Sequence, residues 1–143
     1  MNDMLRLIFP VSLNSVRLAD DLLAAIANNI TSDQHLSYNI RTVLSESFNN
    51  AFLYGDKSKF DAVIEVRTCF KQNKFCVSVI NEGSGFADIK ENWDNFPSAQ
   101  DESGRGLKII KRLSDIVKFN KLGDNKFEVY VEFNLDKKRE KTK

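Results

Sequence analysis

Leu5, Leu7 and Phe9 alternate with Arg6 and Ile8 before Pro10, a period of two that predicts a short strand suited to a sheet edge. The period then changes. Val16, Ala19, Leu23, Ile26 and Ile30 step by three and four, the spacing of one helix face, until Asn28-Asn29 and Thr31-Ser32-Asp33 interrupt it. Thr31 with Gln34 three residues later has the pattern of a capping box for a second helix. The apolar face of that helix runs Leu36, Ile40, Val43, Leu44, Phe48, Ala51 and Phe52, and Gly55 stops it.

From there the alternation of strands dominates. Ile64, Val66, Thr68 and Phe70 alternate with Glu65, Arg67 and Cys69, and Phe75, Val77 and Val79 alternate with Cys76, Ser78 and Ile80. A two-residue turn at Gln72-Asn73 sets Phe70 opposite Phe75 and Val66 opposite Val79, so both apolar sets share one face and Cys69 falls opposite Cys76. The face bearing Glu65 and Arg67 is free to be wet. Residues 87–103 lose periodicity around Trp93, Phe96 and Pro97, and a loop of that length in a compact domain is usually functional or disordered. A helix starting near Gly104 buries Leu107, Ile110, Leu113 and Val117; Ile116 to Leu122 reads as a strand and Gly123-Asp124-Asn125 as a turn. The last strand carries the alternation Phe127, Val129, Val131, Phe133 and Leu135.

Strand, two helices, hairpin, long loop, helix and second hairpin fit an α+β two-layer sandwich better than a parallel doubly wound sheet. The 143 residues suit one domain spanning 1–143, with an ordered core of about 4–135 and a charged tail from Asp136 to Lys143. Composition narrows the function. Twenty-one basic and 20 acidic side chains leave a formal net charge of +1, so no electrostatic case arises for direct nucleic-acid or membrane binding. No apolar run is long enough to span a bilayer and the first residues lack a signal-peptide pattern, which makes a cytoplasmic location the expectation. Cys69 and Cys76 have no metal-ligand spacing and are expected as reduced thiols.

Three short segments carry chemistry. In Ser45-Glu46-Ser47-Phe48-Asn49-Asn50-Ala51, Glu46 and Asn50 stand four apart and project from one helix face. Either alone reads as a solvated surface residue. Asn81-Glu82-Gly83-Ser84-Gly85-Phe86 closes a strand, and its glycines permit close approaches that a side chain would block. Ser103-Gly104-Arg105-Gly106-Leu107 opens a helix, where unpaired N–H groups favour phosphate. Together they suggest a nucleotide site with a base, a metal ligand and a phosphate cradle. His35 reads as a helix-surface residue, since no second histidine exists to complete a site, and Tyr54 as a plain interface or core aromatic. Trp93 and Phe96 either pack over a ligand, contact a partner or anchor their own loop.

The order E-x-x-x-N-A, then a strand ending in an acidic residue followed by G-x-G-F, then G-x-G-L on a helix, resembles the ATP-binding boxes of the GHKL (Bergerat-fold) ATPases. The short chain, the N-terminal strand-helix segment with Arg17, and Ser45-Glu46 through Asn50-Ala51 look most like the bacterial anti-sigma-factor serine kinase branch. The resemblance spans roughly Met4 to Leu135. It implies a Bergerat-type two-layer sandwich, with a mixed, mainly antiparallel sheet and helices on one face. It also implies ATP and Mg²⁺ as cofactors. Glu46 would be the general base and Asn50 the Mg²⁺ ligand; Asn81, Gly83, Gly85 and Phe86 would shape the adenine end. Residues 87–103 would form a lid, and Gly104, Arg105, Gly106 and Leu107 would wrap the phosphates.

By the same resemblance, the protein would phosphorylate a serine on a STAS-type anti-sigma-factor antagonist, sequester a sigma factor by partner switching, and form a homodimer. One departure stands out. The family usually has aspartate at the position of Asn81, accepting a hydrogen bond from the adenine amino group. Asparagine keeps a carbonyl acceptor but replaces the second oxygen by NH₂. The alternative reading is therefore a non-catalytic binding module on the same fold, with weak or lost ATP binding.

Overall fold

The computed structural model describes residues 2–55, 61–83, 102–123 and 125–136. Its elements are β1 (Asn2–Pro10), α1 (Leu13–Ile30), α2 (Gln34–Tyr54), β2 (Val63–Lys71), β3 (Lys74–Glu82), α3 (Glu102–Leu113), β4 (Ile116–Lys121) and β5 (Lys126–Asn134). The strands form one sheet in the order β1-β2-β3-β5-β4, and each of the four pairings is antiparallel. The sheet is thus antiparallel throughout its described strands rather than mixed. Pro10 ends β1, and β1 is an edge strand, where a residue without an N–H is tolerated.

Local chemistry explains most boundaries. Ser12 caps α1, its side chain accepting from the Ser15 N–H at 3.2 Å. The cap of α2 is Asp33, not the expected Thr31–Gln34 box. Asp33 directly precedes the first helical residue, so its Oδ1 reaches the N–H groups of His35 (3.0 Å) and Leu36 (3.2 Å). Thr31 instead ends α1, and its hydroxyl accepts from the Asp33 N–H at 3.1 Å. Asn28-Asn29 lie inside α1, which runs on to Ile30. The buried stripe of α1 is Ser15, Ala19, Leu23 and Ala27, with Val16, Ile26 and Ile30 at its border. Small residues there let α1 lie close to α2, and two side-chain bonds tie the pair, Ser37 to Asn28 at 3.2 Å and Ser45 to Asp20 at 3.1 Å.

All seven apolar positions expected on α2 face the interior, six of them fully buried and Phe52 partly so. They pack on Ile64, Val66, Phe75, Val77, Val79, Phe127, Val129, Val131 and Phe133, which line the helix-facing side of the sheet. Phe48 meets Phe9 of β1 edge-on, with centroids 5.1 Å apart. The β2–β3 hairpin has the expected register, with Val66 opposite Val79, Phe70 opposite Phe75 and Cys69 opposite Cys76. Gln72 and Asn73 both take positive φ (50° and 56°), as a two-residue hairpin turn matched to strand twist requires. Phe70 lies beyond the helical cover and stays 40% exposed. Val117, expected on the last helix, belongs to β4, because α3 ends at Leu113.

The opposite face of the sheet is polar and well paired. Glu65 accepts hydrogen bonds from Arg6 Nε at 2.9 Å and from Arg67 Nε. Tyr130 donates to Glu132 Oε2 at 2.6 Å and Asn120 to Glu128 Oε1 at 2.8 Å. Cys69 and Cys76 are buried on this face as thiols. Among the described residues, no helix is long and apolar enough to cross a membrane.

Candidate functional site

The C-terminal half of α2 and residues 105–109 of α3 line a cleft of about 340 Å³, within the range of small-molecule sites. Its walls are Glu46, Asn49, Asn50, Phe52 and Leu53 from α2, and Arg105, Gly106 and Ile109 from α3. Glu46, Asn49, Asn50 and Leu53 fall at i, i+3, i+4 and i+7, so helical periodicity puts them on one face. Asn49, Leu53 and Ile109 were not singled out from the sequence. That period, counted from Glu46 along α2 and from Arg105 along α3, is the signal that finds them.

Two observations mark this cleft as built for a ligand. Asn50 is 2% exposed, and among the described residues its amide Nδ2 has no hydrogen-bond partner. An orphaned buried donor costs about 1–3 kcal/mol, which folding alone gives no reason to retain. Gly106 is the second. A Cβ there would stand 2.7 Å from Glu46 Oε2 and 3.4 Å from Asn50 Nδ2. Absence of a side chain at 106 is what lets α3 pass directly over the carboxylate and the carboxamide. Ser47, within the same turn of α2, is 1% exposed, and its hydroxyl too has no partner among the described residues.

The remaining residues divide. Arg105 is exposed at the mouth of the cleft. Leu107 is fully buried in the hydrophobic core beside Ile110 and does not line the cleft. Because α3 begins at Glu102, its unpaired N–H groups belong to the first turn, and by Gly106 the backbone is inside the helical ladder. Gly106 therefore offers space rather than a free N–H. Gly83 (φ +152°) directly follows β3, and its N–H donates to the Asn125 carbonyl at 2.8 Å. Gly104 lies in the first turn of α3, while Gly85, Phe86 and most of the lid expected over 87–103, with Trp93 and Phe96, lie outside the described residues. So does all of the expected charged tail beyond Asp136.

Asn81 is buried at 2% exposure on the helix-facing side of β3, flanked in register by Ile64 and Phe127. It shares an end of the sheet with the C-terminus of α2. A Cβ on Gly55 would lie 3.7 Å from Val11, and the Val11 N–H donates to Ala62, just before β2 pairs Ile64 with Asn81. A second groove, about 460 Å³, runs between β1 and α1 and is lined by Leu5, Leu7, Leu22, Ile26, Ile30 and Phe70 among others. It has no ionisable side chain and so offers no acid or base of its own.

Comparison with known proteins places this geometry among relatives. A family profile described as "Histidine kinase-like ATPase domain" matches residues 9–132. The anti-sigma F factor of Halalkalibacterium halodurans is 30% identical over 82 residues, covering 55% of this chain and 56% of that protein. The chain thus spans little more than half the length of that relative in the match. The anti-sigma F factor of Caldanaerobacter subterraneus subsp. tengcongensis is 23% identical over 117 residues, 80% of this chain and 81% of that protein. Among solved structures, a chain of the SiaB–SiaC complex from Pseudomonas aeruginosa aligns with a TM-score of 0.66 at 14% identity, over 92% of this chain and 89% of that one. The catalytic domain of histidine kinase ThkA aligns with a TM-score of 0.54 at 19% identity, over 92% and 97%.

Proposed function

Because the chain belongs to the histidine kinase-like ATPase domain family, we propose that its α2–α3 cleft binds Mg-ATP and passes the γ-phosphate to a serine of a partner protein. The buried, unpartnered Asn50 amide beside Glu46 carries this reading. The residues fit such a ligand. Asn50 presents a carboxamide whose oxygen suits Mg²⁺ and whose NH₂ suits a phosphate oxygen. Gly106 leaves the space, and Arg105 adds positive charge at the mouth. Among the described residues no group of three acidic, histidine or cysteine side chains is placed to hold a cation, so phosphate oxygens and water would complete the Mg²⁺ shell around Asn50.

Mg-ATP, when bound, supplies the transferable phosphoryl group. The chain's own part is positioning and proton handling, which is most of what phosphoryl transfer needs. Glu46 is the general base, its carboxylate taking the proton of the attacking serine hydroxyl. Gly106 keeps that carboxylate from being displaced, and the first turn of α3, including Gly104, turns unpaired N–H groups and a positive helix end toward the phosphates.

The finer reading follows the relatives named as anti-sigma F factors: a protein serine kinase acting on a STAS-type antagonist and holding a sigma factor by partner switching, as a homodimer. Asn81 favours a second reading, a binding module of the same fold that has weakened or lost its nucleotide. One experiment separates them. Phosphate transfer from Mg-ATP to a STAS-domain protein is measured for wild type and Glu46→Gln, with nucleotide binding followed by calorimetry. Transfer should fall by at least about 100-fold while affinity changes little. An unchanged rate removes Glu46 as the base, and absence of binding by the wild type selects the second reading.

A further inference from the structure

Asn81 is a buried carboxamide set between two apolar neighbours in the sheet, Ile64 and Phe127. Among the described residues it makes one side-chain hydrogen bond, Nδ2 donating to the Glu82 carbonyl at 3.5 Å, the long limit for such a bond. A polar group in that setting is costly unless something else satisfies it. A bond so long also does little to fix which way the amide faces. The side chain is therefore both short of partners and free to present either end.

Resting on the nucleotide reading above, with Asn81 at the base end of the site, we propose that the pocket accepts 6-oxo purine nucleotides, those of guanine and hypoxanthine, alongside adenine nucleotides. The argument is one of donors and acceptors. A carboxamide offers one of each kind, and a half-turn of its terminal torsion exchanges them. Toward adenine, Oδ1 accepts from the 6-amino group and Nδ2 donates to N1. Toward guanine or hypoxanthine, Nδ2 donates to O6 and Oδ1 accepts from N1–H. Both pairings are two-pronged and complete. A carboxylate at the same place is acceptor-only when ionised, so with the base held in one seat the oxygen that accepts from the adenine 6-amino group would face O6 of a 6-oxo base and disfavour it. Asn81 thus removes the element that would reject guanine, and rejection rather than attraction often makes a site specific.

The test titrates Mg-ATP, Mg-GTP, Mg-ITP and Mg-UTP by calorimetry into the full chain and into Asn81→Asp. For wild type the three purine nucleotides should bind within about threefold of one another and UTP at least about tenfold more weakly. Asn81→Asp should weaken GTP and ITP at least about tenfold relative to ATP, the size expected from losing a two-pronged base contact. If wild type prefers ATP over GTP and ITP tenfold or more, the proposal fails and the nucleotide site stands. Equal binding of all four nucleotides, unaltered by Asn81→Asp, likewise overturns it, because the base is then not read. ATP binding by Asn81→Asp alone also overturns it while preserving the site. If neither protein binds any nucleotide, the site assignment falls with it. Should Asn81→Asp not fold, the wild-type ratios, with UTP and ITP as references, decide the matter unaided.

Discussion

Glu65 and Glu46 are both half-buried acids on regular elements of one small domain, yet the protein treats them in opposite ways. Glu65, on the open face of the sheet, takes hydrogen bonds from Arg6 and Arg67. Partial burial pushes its carboxyl up, but those bonds and the two guanidinium charges outweigh the burial and hold it below the usual carboxylate range. Glu46 stands under Gly106 with no described hydrogen bond to its carboxylate, and its neighbour Asn50 carries an unpaired amide. Of the four buried polar side-chain atoms without partners among the described residues, two, on Ser47 and Asn50, sit within a turn of Glu46. The other two, on Thr68 and Ser114, line no part of the cleft, so it is the coincidence of two orphaned groups beside one carboxylate that points to a ligand.

Gly106→Ala would break this contrast most severely. The added methyl meets Glu46 Oε2, the movable end of a side chain, so the carboxylate shifts while the helix gains propensity. Phosphoryl transfer should drop by about 100-fold or more, the cost of misplacing a reacting group by roughly an ångström. Thermal unfolding should place stability within about 1 kcal/mol of wild type. A matching collapse of stability would show that Gly106 serves packing instead.

Removing one polar group from each region should then move stability in opposite directions. Tyr130→Phe deletes the 2.6 Å bond to Glu132 and should cost about 1.5–3 kcal/mol in urea unfolding at pH 7. Burial, together with hydrogen bonds to Cys76 and Glu132, raises the Tyr130 hydroxyl above its ordinary value of 10.0. Its contribution is therefore full below about pH 10 and declines as pH climbs beyond that. Asn50→Ala removes an orphaned donor instead, and stability should hold or rise by about 1 kcal/mol. The same variant should lose the thermal shift given by Mg-ATP. A loss of stability as large as that of Tyr130→Phe would mean that the Asn50 carboxamide is structural.

Glu65→Gln should have the smallest effect, less than about 1 kcal/mol, because both arginines are largely exposed and solvent screens the pair. Its pH dependence is the sharper test. A lowered folded pKa means that the stabilisation is complete above the unfolded value of 4.5 and is lost as pH falls through the lower folded value. Wild type and variant should therefore differ at pH 7, and the difference should shrink progressively as pH falls below 4.5 in guanidinium unfolding. A difference that does not change with pH below 4.5 would point to packing rather than charge.

The sequence by itself determined the elements and their faces. Period-two and period-3.6 patterns depend on neighbours along the chain, so the α2 core stripe from Leu36 to Phe52, the Gln72-Asn73 turn with its register, and the β5 alternation were all legible. The pairing of Glu46 with Asn50 was legible for the same reason. Tertiary structure decided what depends on contacts distant in sequence. Thr31 fits a capping pattern as well as Asp33 does, and the path of the turn made Asp33 the cap. Gly55 stops α2 as its sequence position predicts, but only the packing shows how: its φ is −66°, and it passes so close to the Ala51 carbonyl that a Cβ would lie 2.9 Å from it. Leu107 and Gly106 are adjacent in one glycine-rich segment, yet one fills the core and the other roofs the cleft. Their helix runs between the two, and only its packing against α2 makes one side interior and the other a site.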